Sequence, residues 1–251
     1  MTIIAYLKFK DSVEAFFGRE LFKKGIIVWA GHQVVQFIGI EEEDWDEVII
    51  VVGMDDSALK TVEEESKIEN FKIIQLKMIS RENLAKMNAF LKASLKLKID
   101  KTPGKGYLEE HAQGGRNDPT IEQAKRVLER DMDKPMGVIN MVTYRDRVMY
   151  PKDYDGKKGK DARKAYQLYG TNMQRVLGNY GVQIKGLGLV KTVLAGKEDS
   201  DWHDFTFFQY AAPQDLIDSY GLKAADKYLV HREAGLLKSK IFLATPYEEF
   251  Y

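Results

Sequence analysis

The sequence predicts an α+β protein that carries one β-α-β-β-α-β unit twice. Three observations predict it. The strand-like and helix-like segments from Ile3 to Ile79 run in the order βαββαβ, and the same order returns from Met136 to Ala244. A stretch of each copy aligns with the other without a gap, Gly31–Val52 (GHQVVQFIGIEEEDWDEVIIVV) on the stretch that opens Gly188–Ala211 (GLVKTVLAGKEDSDWHDFTFFQYA). In that alignment Gly31 falls on Gly188, Phe37 on Leu194, Gly39 on Gly196, Asp44 on Asp201 and Trp45 on Trp202. Self-similarity of this kind marks a repeated supersecondary unit, and βαββαβ is the ferredoxin-like order with an antiparallel sheet.

The first unit spans residues 1–80. Ile3–Phe9 is short, aromatic and β-branched, and reads as a strand. Asp11-Ser12 is placed to cap a helix in which Val13, Phe16, Phe17 and Leu21 recur at helical spacing before Gly25 stops the run. Ile26–Ile40 reads as a strand broken near Gly31, Glu41–Asp46 as a turn, and Glu47–Val52 as a buried strand. Asp56-Ser57 caps a helix carrying Leu59, Val62 and Ile68. Phe71–Ile79 follows as a strand whose apolar run is broken by Lys72, Gln75 and Lys77.

Residues 81–135 stand outside the repeat as a helical insert and linker. Arg81–Ile99 is helical by period, with Leu84, Met87, Phe90, Leu91 and Leu95 on one side. Asp100–Pro119 is rich in glycine and reads as a loop. Asp118-Pro119 has the form of an N-cap followed by proline at the first helical position, opening a helix to about Met132. The second unit, residues 136–251, begins with the strand Met136–Tyr144 and a long polar loop. A helix over Asp161–Leu177 and a strand over Val182–Leu194, kinked near Gly186 and Gly188, come next. In the strand Phe205–Ala211, Phe205 and Phe207 share one face and Phe208 and Tyr210 the other, so both faces are covered. A helical region from Pro213 to Leu237 and the strand Ser239–Ala244 complete the copy.

Composition narrows the classes of function. Lysine plus arginine equals aspartate plus glutamate at 38 each, so no excess of basic charge points to nucleic acid. The chain has no cysteine, which removes disulfides, thiol catalysis and cysteine-ligated metals and favours a cytoplasmic protein. No uninterrupted apolar window spans a bilayer and the N-terminus lacks the pattern of a signal peptide, so no membrane association is expected. The four histidines, at 32, 111, 203 and 231, show no metal-ligand spacing, and Gly104-Lys105-Gly106 lacks the spacing of a phosphate loop. No cofactor or metal is expected from these patterns, and the sequence does not decide whether the protein is an enzyme.

Met136–Pro246 resembles the small dimeric α/β-barrel family known as DUF1330. Tyr180-Gly181, the turn Gly196–Trp202, the strand Phe205–Tyr210 and the spacing Tyr228…Arg232…Gly235 carry the resemblance, and Gly31–Gly53 carries a fainter one in the first copy. The resemblance implies two ferredoxin-like units whose sheets face each other. Here they would pair within one chain as an α/β barrel, or each with a second chain in a homo-oligomer. Relatives of that architecture include small-molecule monooxygenases, lactone isomerases and haem proteins resembling chlorite dismutase. The resemblance therefore implies a small-molecule ligand.

The candidate site residues lie in the second copy, which has the longer final helical region. His231 and Arg232 are the catalytic candidates: a histidine moves protons near neutral pH, and an arginine holds an acidic or carbonyl group. A helix C-terminus that merely gathers positive charge accounts for the same pair. Tyr144, Trp202, His203 and Tyr228 are the substrate-binding candidates. Trp202 recurs as Trp45 and so also reads as a core plug, while His203 is replaced by Asp46 in the first copy. The competing reading is a non-catalytic interaction module, and a third is haem held by His231.

Overall fold

The computed structural model describes residues 1–11, 16–39, 43–55, 57–94, 99, 117–196, 201–220 and 222–251. Its strands are β1 (Thr2–Phe9), β2 (Ile26–Ile38), β3 (Asp44–Val52), β4 (Ile68–Met78), β5 (Met136–Tyr144), β6 (Gln183–Ala195), β7 (Asp204–Tyr210) and β8 (Leu236–Pro246). They close one antiparallel barrel in the order β1-β3-β2-β8-β5-β7-β6-β4. Each half contributes four adjacent strands, and two seams join the halves: β2 on β8 and β4 on β6. Closure removes the sheet edges that an open four-stranded sheet would present.

The helices are α1 (Gly18–Leu21), α2 (Ser57–Glu64), α3 (Arg81–Ser94), α4 (Ile121–Leu128), α5 (Ala162–Gly178), α6 (Pro213–Tyr220) and α7 (Lys223–Gly235). α3 packs on α5 and β6, α4 on β2 and α6, and α5 on α7. The segment between the halves thus covers the second half through α3 and reaches β2 of the first through α4. Asn88 fixes this docking, its side chain donating to the Ile184 carbonyl and accepting from the Ile184 N–H, both at 2.8 Å.

Strand alternation sorts the core into layers. Inward positions fill the barrel with Ile4, Tyr6, Trp29, Ile50, Ile74, Ile139, Phe205, Phe207 and Phe242. Trp45 and Trp202 lie in the same layer. Outside the first half, Ile3, Leu7, Phe16, Phe22 and Ile49 pack under α1 and α2. Outside the second half, Val138, Met173, Tyr210 and Ile241 pack under the other helices. Phe208 faces that outer layer while Phe205 and Phe207 face inward, so the strand is covered on both faces.

Several boundaries differ from the sequence expectation, each for a local reason. The first helix is one turn, because Phe16 adopts φ +59, a left-handed conformation that a helix cannot pass through; Ser12 and Val13 lie outside the described residues. The break in β2 falls at Gln33 (φ +50) rather than at Gly31, and the register to β8 shifts between His32 and Val35. β3 begins at Asp44, inside the expected turn, and α2 ends at Glu64, so Ile68 opens β4 instead of belonging to the helix. α4 is capped not by Asp118 but by Thr120, which forms a capping box with Gln123. Asp118 is engaged elsewhere, by Arg232. α4 ends at Leu128, and the final helical region divides into α6 and α7, with Leu222 as the extended N-cap of α7. Among the described residues no helix is long and apolar enough to cross a membrane.

Candidate functional site

The barrel interior is filled by side chains, so open space lies outside it. Between the outward face of β5–β8 and helices α3, α5 and α7 is a cavity of about 360 Å³. Its walls are largely apolar and include Met87, Val138, Met173, Leu177, Phe208 and Ile241. A few polar groups converge on it: Asn140 and Tyr144 from β5, Tyr166 from α5, Asp204 and Thr206 from β7, Arg232 from α7, and Ser239 from β8. This mix of apolar walls and sparse polar groups is what small-molecule sites show.

Strand pleating places these groups. Asn140, Tyr144, Thr206 and Asp204 occupy outward positions two or four residues apart, so each points toward the helices. Asn140 Nδ2 donates to the Tyr166 hydroxyl at 3.3 Å, while Asn140 Oδ1 is buried and finds no partner among the described residues. Tyr144 donates to Asp204 Oδ2 at 2.6 Å, and Arg163 donates to Asp204 Oδ1 at 2.8 Å. Burial, then the hydrogen bond to Asp204, pushes the Tyr144 hydroxyl far above its ordinary value. Burial does the same to Tyr166. Both phenols are therefore fixed donors at neutral pH.

Arg232 is buried and lines the cavity, but its guanidinium is already engaged by Asp118 (2.5 Å) and Glu233 (2.9 Å). His231, its neighbour on the helix, does not line this cavity. It is held by the polar loop after β5: the Tyr150 hydroxyl lies 2.8 Å from Nδ1 and the Tyr154 hydroxyl 3.5 Å from Nε2. The Gly159 N–H donates to the Tyr150 hydroxyl at 2.9 Å, which directs the phenolic proton onto Nδ1 and leaves the imidazole proton on Nε2. The two tyrosine rings stack at 5.2 Å, and both meet the imidazole edge-on. Neighbours on the helix, His231 and Arg232 face different surroundings. Tyr228 packs against the outer layer with Lys227 Nζ 4.9 Å from its ring centroid, and it too does not line this cavity.

Burial lowers the His231 pKa below its ordinary 6.5. The folded value then lies under the unfolded one, so the stabilisation is present above about pH 6.5 and is lost as pH falls through the folded value. His231→Gln is expected to cost about 1 kcal/mol at neutral pH through the lost tyrosine contacts. In thermal denaturation across a pH series, its deficit against the native chain should shrink under acid conditions. A deficit that is constant with pH would reject the reading.

The other three sequence candidates come together. Tyr144, Trp202 and His203 line a second, more open recess of about 350 Å³ with Arg163, Lys191 and Asp204. Tyr144 and Asp204 belong to both recesses and form their common wall. The His203 ring stacks on Tyr144 at 5.6 Å, and His203 Nδ1 accepts from the Tyr144 N–H at 3.0 Å. Sequence reasoning passed over Asp204, Tyr166 and Asn140. Only Asn140 left a local signal, as a lone amide in the apolar strand MGVINMVTY. Among the described residues no group of three or more His, Asp or Glu is placed to hold a metal ion.

The geometry defines a closed antiparallel α+β barrel with a partly polar cavity outside one half. No protein-family model matches the chain, and no curated protein matches it. Among solved structures it is similar to a protein of unknown function from Rhodopseudomonas palustris, at 22% identity and TM-score 0.47, over 53% of this chain and 98% of that one. It is also similar to a "putative monooxygenase" from Lactobacillus acidophilus, at 11% identity and TM-score 0.43, over 98% of this chain and 92% of the other. At these TM-scores neither likeness bears on function.

Proposed function

We propose that the protein binds a small, largely apolar molecule bearing a hydroxyl or carbonyl group, in the cavity of its second half. The halves are read as two ferredoxin-like units in tandem, the second DUF1330-like and alone in keeping a site. The outer face of the first half supports that asymmetry, since the side chains of β1 and β3 form a buried cluster with those of α1 and α2 there. The observation that carries the proposal is Asn140 on the cavity wall, whose buried Oδ1 has no partner among the described residues. An unsatisfied buried acceptor costs roughly 1–3 kcal/mol, which a ligand hydroxyl donating to it would recover. The Tyr166 hydroxyl, kept protonated by burial, is the matching donor to the ligand's oxygen.

In this reading Arg232 braces the cavity through Asp118, and His231 ties the loop after β5 to α7. Titration calorimetry with octanol tests it. Asn140→Leu should weaken octanol binding about tenfold, the equivalent of one buried hydrogen bond. Thr206→Trp should abolish binding by filling the cavity, and octanol binding untouched by that change would sink the proposal.

A further inference from the structure

The second recess differs in chemistry from the cavity it adjoins. Its hydrogen-bonding groups are almost all donors. The Tyr144 N–H occupies His203 Nδ1, so a neutral imidazole carries its proton on Nε2, and His203 is exposed. Lys191 is exposed on β6. Arg163 has one nitrogen on Asp204, whose other oxygen accepts from Tyr144, so the one carboxylate of the recess already accepts at both oxygens. Two cations against one carboxylate leave the recess with a positive balance.

The tryptophan on the recess wall differs from its counterpart in the first half. Trp202 is 5% exposed, and its Nε1–H has no partner among the described residues. Its repeat counterpart, Trp45, donates the equivalent proton to Glu43 at 3.3 Å. The same tryptophan position thus has a carboxylate acceptor in the first half and none among the described residues in the second.

We infer that this recess is an oxyanion subsite, which takes the carboxylate of an acid whose apolar body fills the neighbouring cavity. Lys191, Arg163 and His203 Nε2–H supply the donors. Tyr144 and Asp204, common to both recesses, set head and body one side chain apart. The inference rests on the cavity reading above and adds the class of ligand, an amphipathic carboxylic acid.

Calorimetry with octanol and ω-hydroxyoctanoate on the full chain tests it. The two probes share a chain and a hydroxyl and differ by the carboxylate. The acid should bind about tenfold more tightly, as charge-assisted hydrogen bonds imply, and that advantage should fall as salt is added. Lys191→Met and His203→Phe, both at exposed positions, should each remove several-fold of the advantage while octanol affinity stays within about twofold. Equal affinity for the two probes overturns the subsite and leaves the cavity reading standing. So does an advantage that survives both substitutions together. If neither probe binds, the cavity reading falls and the subsite falls with it.

Discussion

Gly188→Val is expected to open the barrel along its β4–β6 seam and to lower stability by roughly 3 kcal/mol or more, the upper end of what single substitutions do. A side chain at Gly188 would begin 2.5 Å from the Lys77 carbonyl oxygen and 3.0 Å from Met78 Cα, and both are backbone atoms of the facing strand. Neither can turn aside as a flexible side chain would, so the seam itself must move. The repeat places Gly31 at the equivalent point of the other seam, where a Cβ would lie 2.8 Å from the Thr245 carbonyl oxygen. Gly170 in α5 is the control. It has open space around it, and Gly170→Ala should stabilise by up to about 1 kcal/mol from helix propensity. Thermal denaturation separates the two, with a drop of several degrees for Gly188→Val and none for Gly170→Ala. An unchanged melting temperature for Gly188→Val refutes the seam argument.

The second large effect is expected at Glu43. Lys72 and Lys240 occupy inward positions on β4 and β8 and are almost fully buried, and Glu43 bridges them at 2.6 and 2.9 Å. Taking a carboxylate out of a buried ionic cluster costs about 3–5 kcal/mol, because the cations stay behind in a poor dielectric. Glu43→Ala should lose that much, while the triple change Glu43→Leu, Lys72→Met, Lys240→Met should recover most of it. Burial works to raise the Glu43 carboxyl, but the hydrogen bonds and charge of Lys72 and Lys240 outweigh it and hold the group below its ordinary 4.5. A depressed carboxylate contributes stability above the unfolded value of about 4.5 and loses it as pH falls through the folded value. The native chain should therefore weaken in acid below about pH 4.5, and the triple variant should not share that part of the decline. Denaturant titrations at neutral and acid pH give the comparison, and a Glu43→Ala chain as stable as the native one rejects it.

These two sites show what was legible in the residues. The alignment sets Gly31 on Gly188 and Trp45 on Trp202; in the structure the two glycines lie on the two seams and the two tryptophans share the inner layer. Their physical work appeared only in space: the glycines let strands of different halves approach, and the tryptophans plug the barrel. Lys72 and Lys240 look like ordinary solvated lysines in a strand, and nothing local shows that both turn inward onto one carboxylate. The same limit applies to the candidate site. Tyr144, Trp202 and His203 stand at strand ends in the sequence, and the fold brings the three to one recess. His231 and Arg232 were linked by adjacency in sequence, yet neighbours on a helix point about 100° apart, and here they meet different partners. Asp118 looked like a helix cap because it precedes a proline, but an ion pair with a residue 114 positions away claims it.

The two seams have a consequence for how such a chain can change over time. A barrel assembled from two identical subunits carries every substitution twice, on both sides of its axis. When both seams join halves of one chain, a change in either half is made once, and the halves meet at an effective concentration fixed by the connecting chain rather than by protein abundance. One half is then free to become solid ballast while the other hollows out a cavity. The packed outer face of the first half beside the recessed face of the second is the asymmetry that such freedom permits.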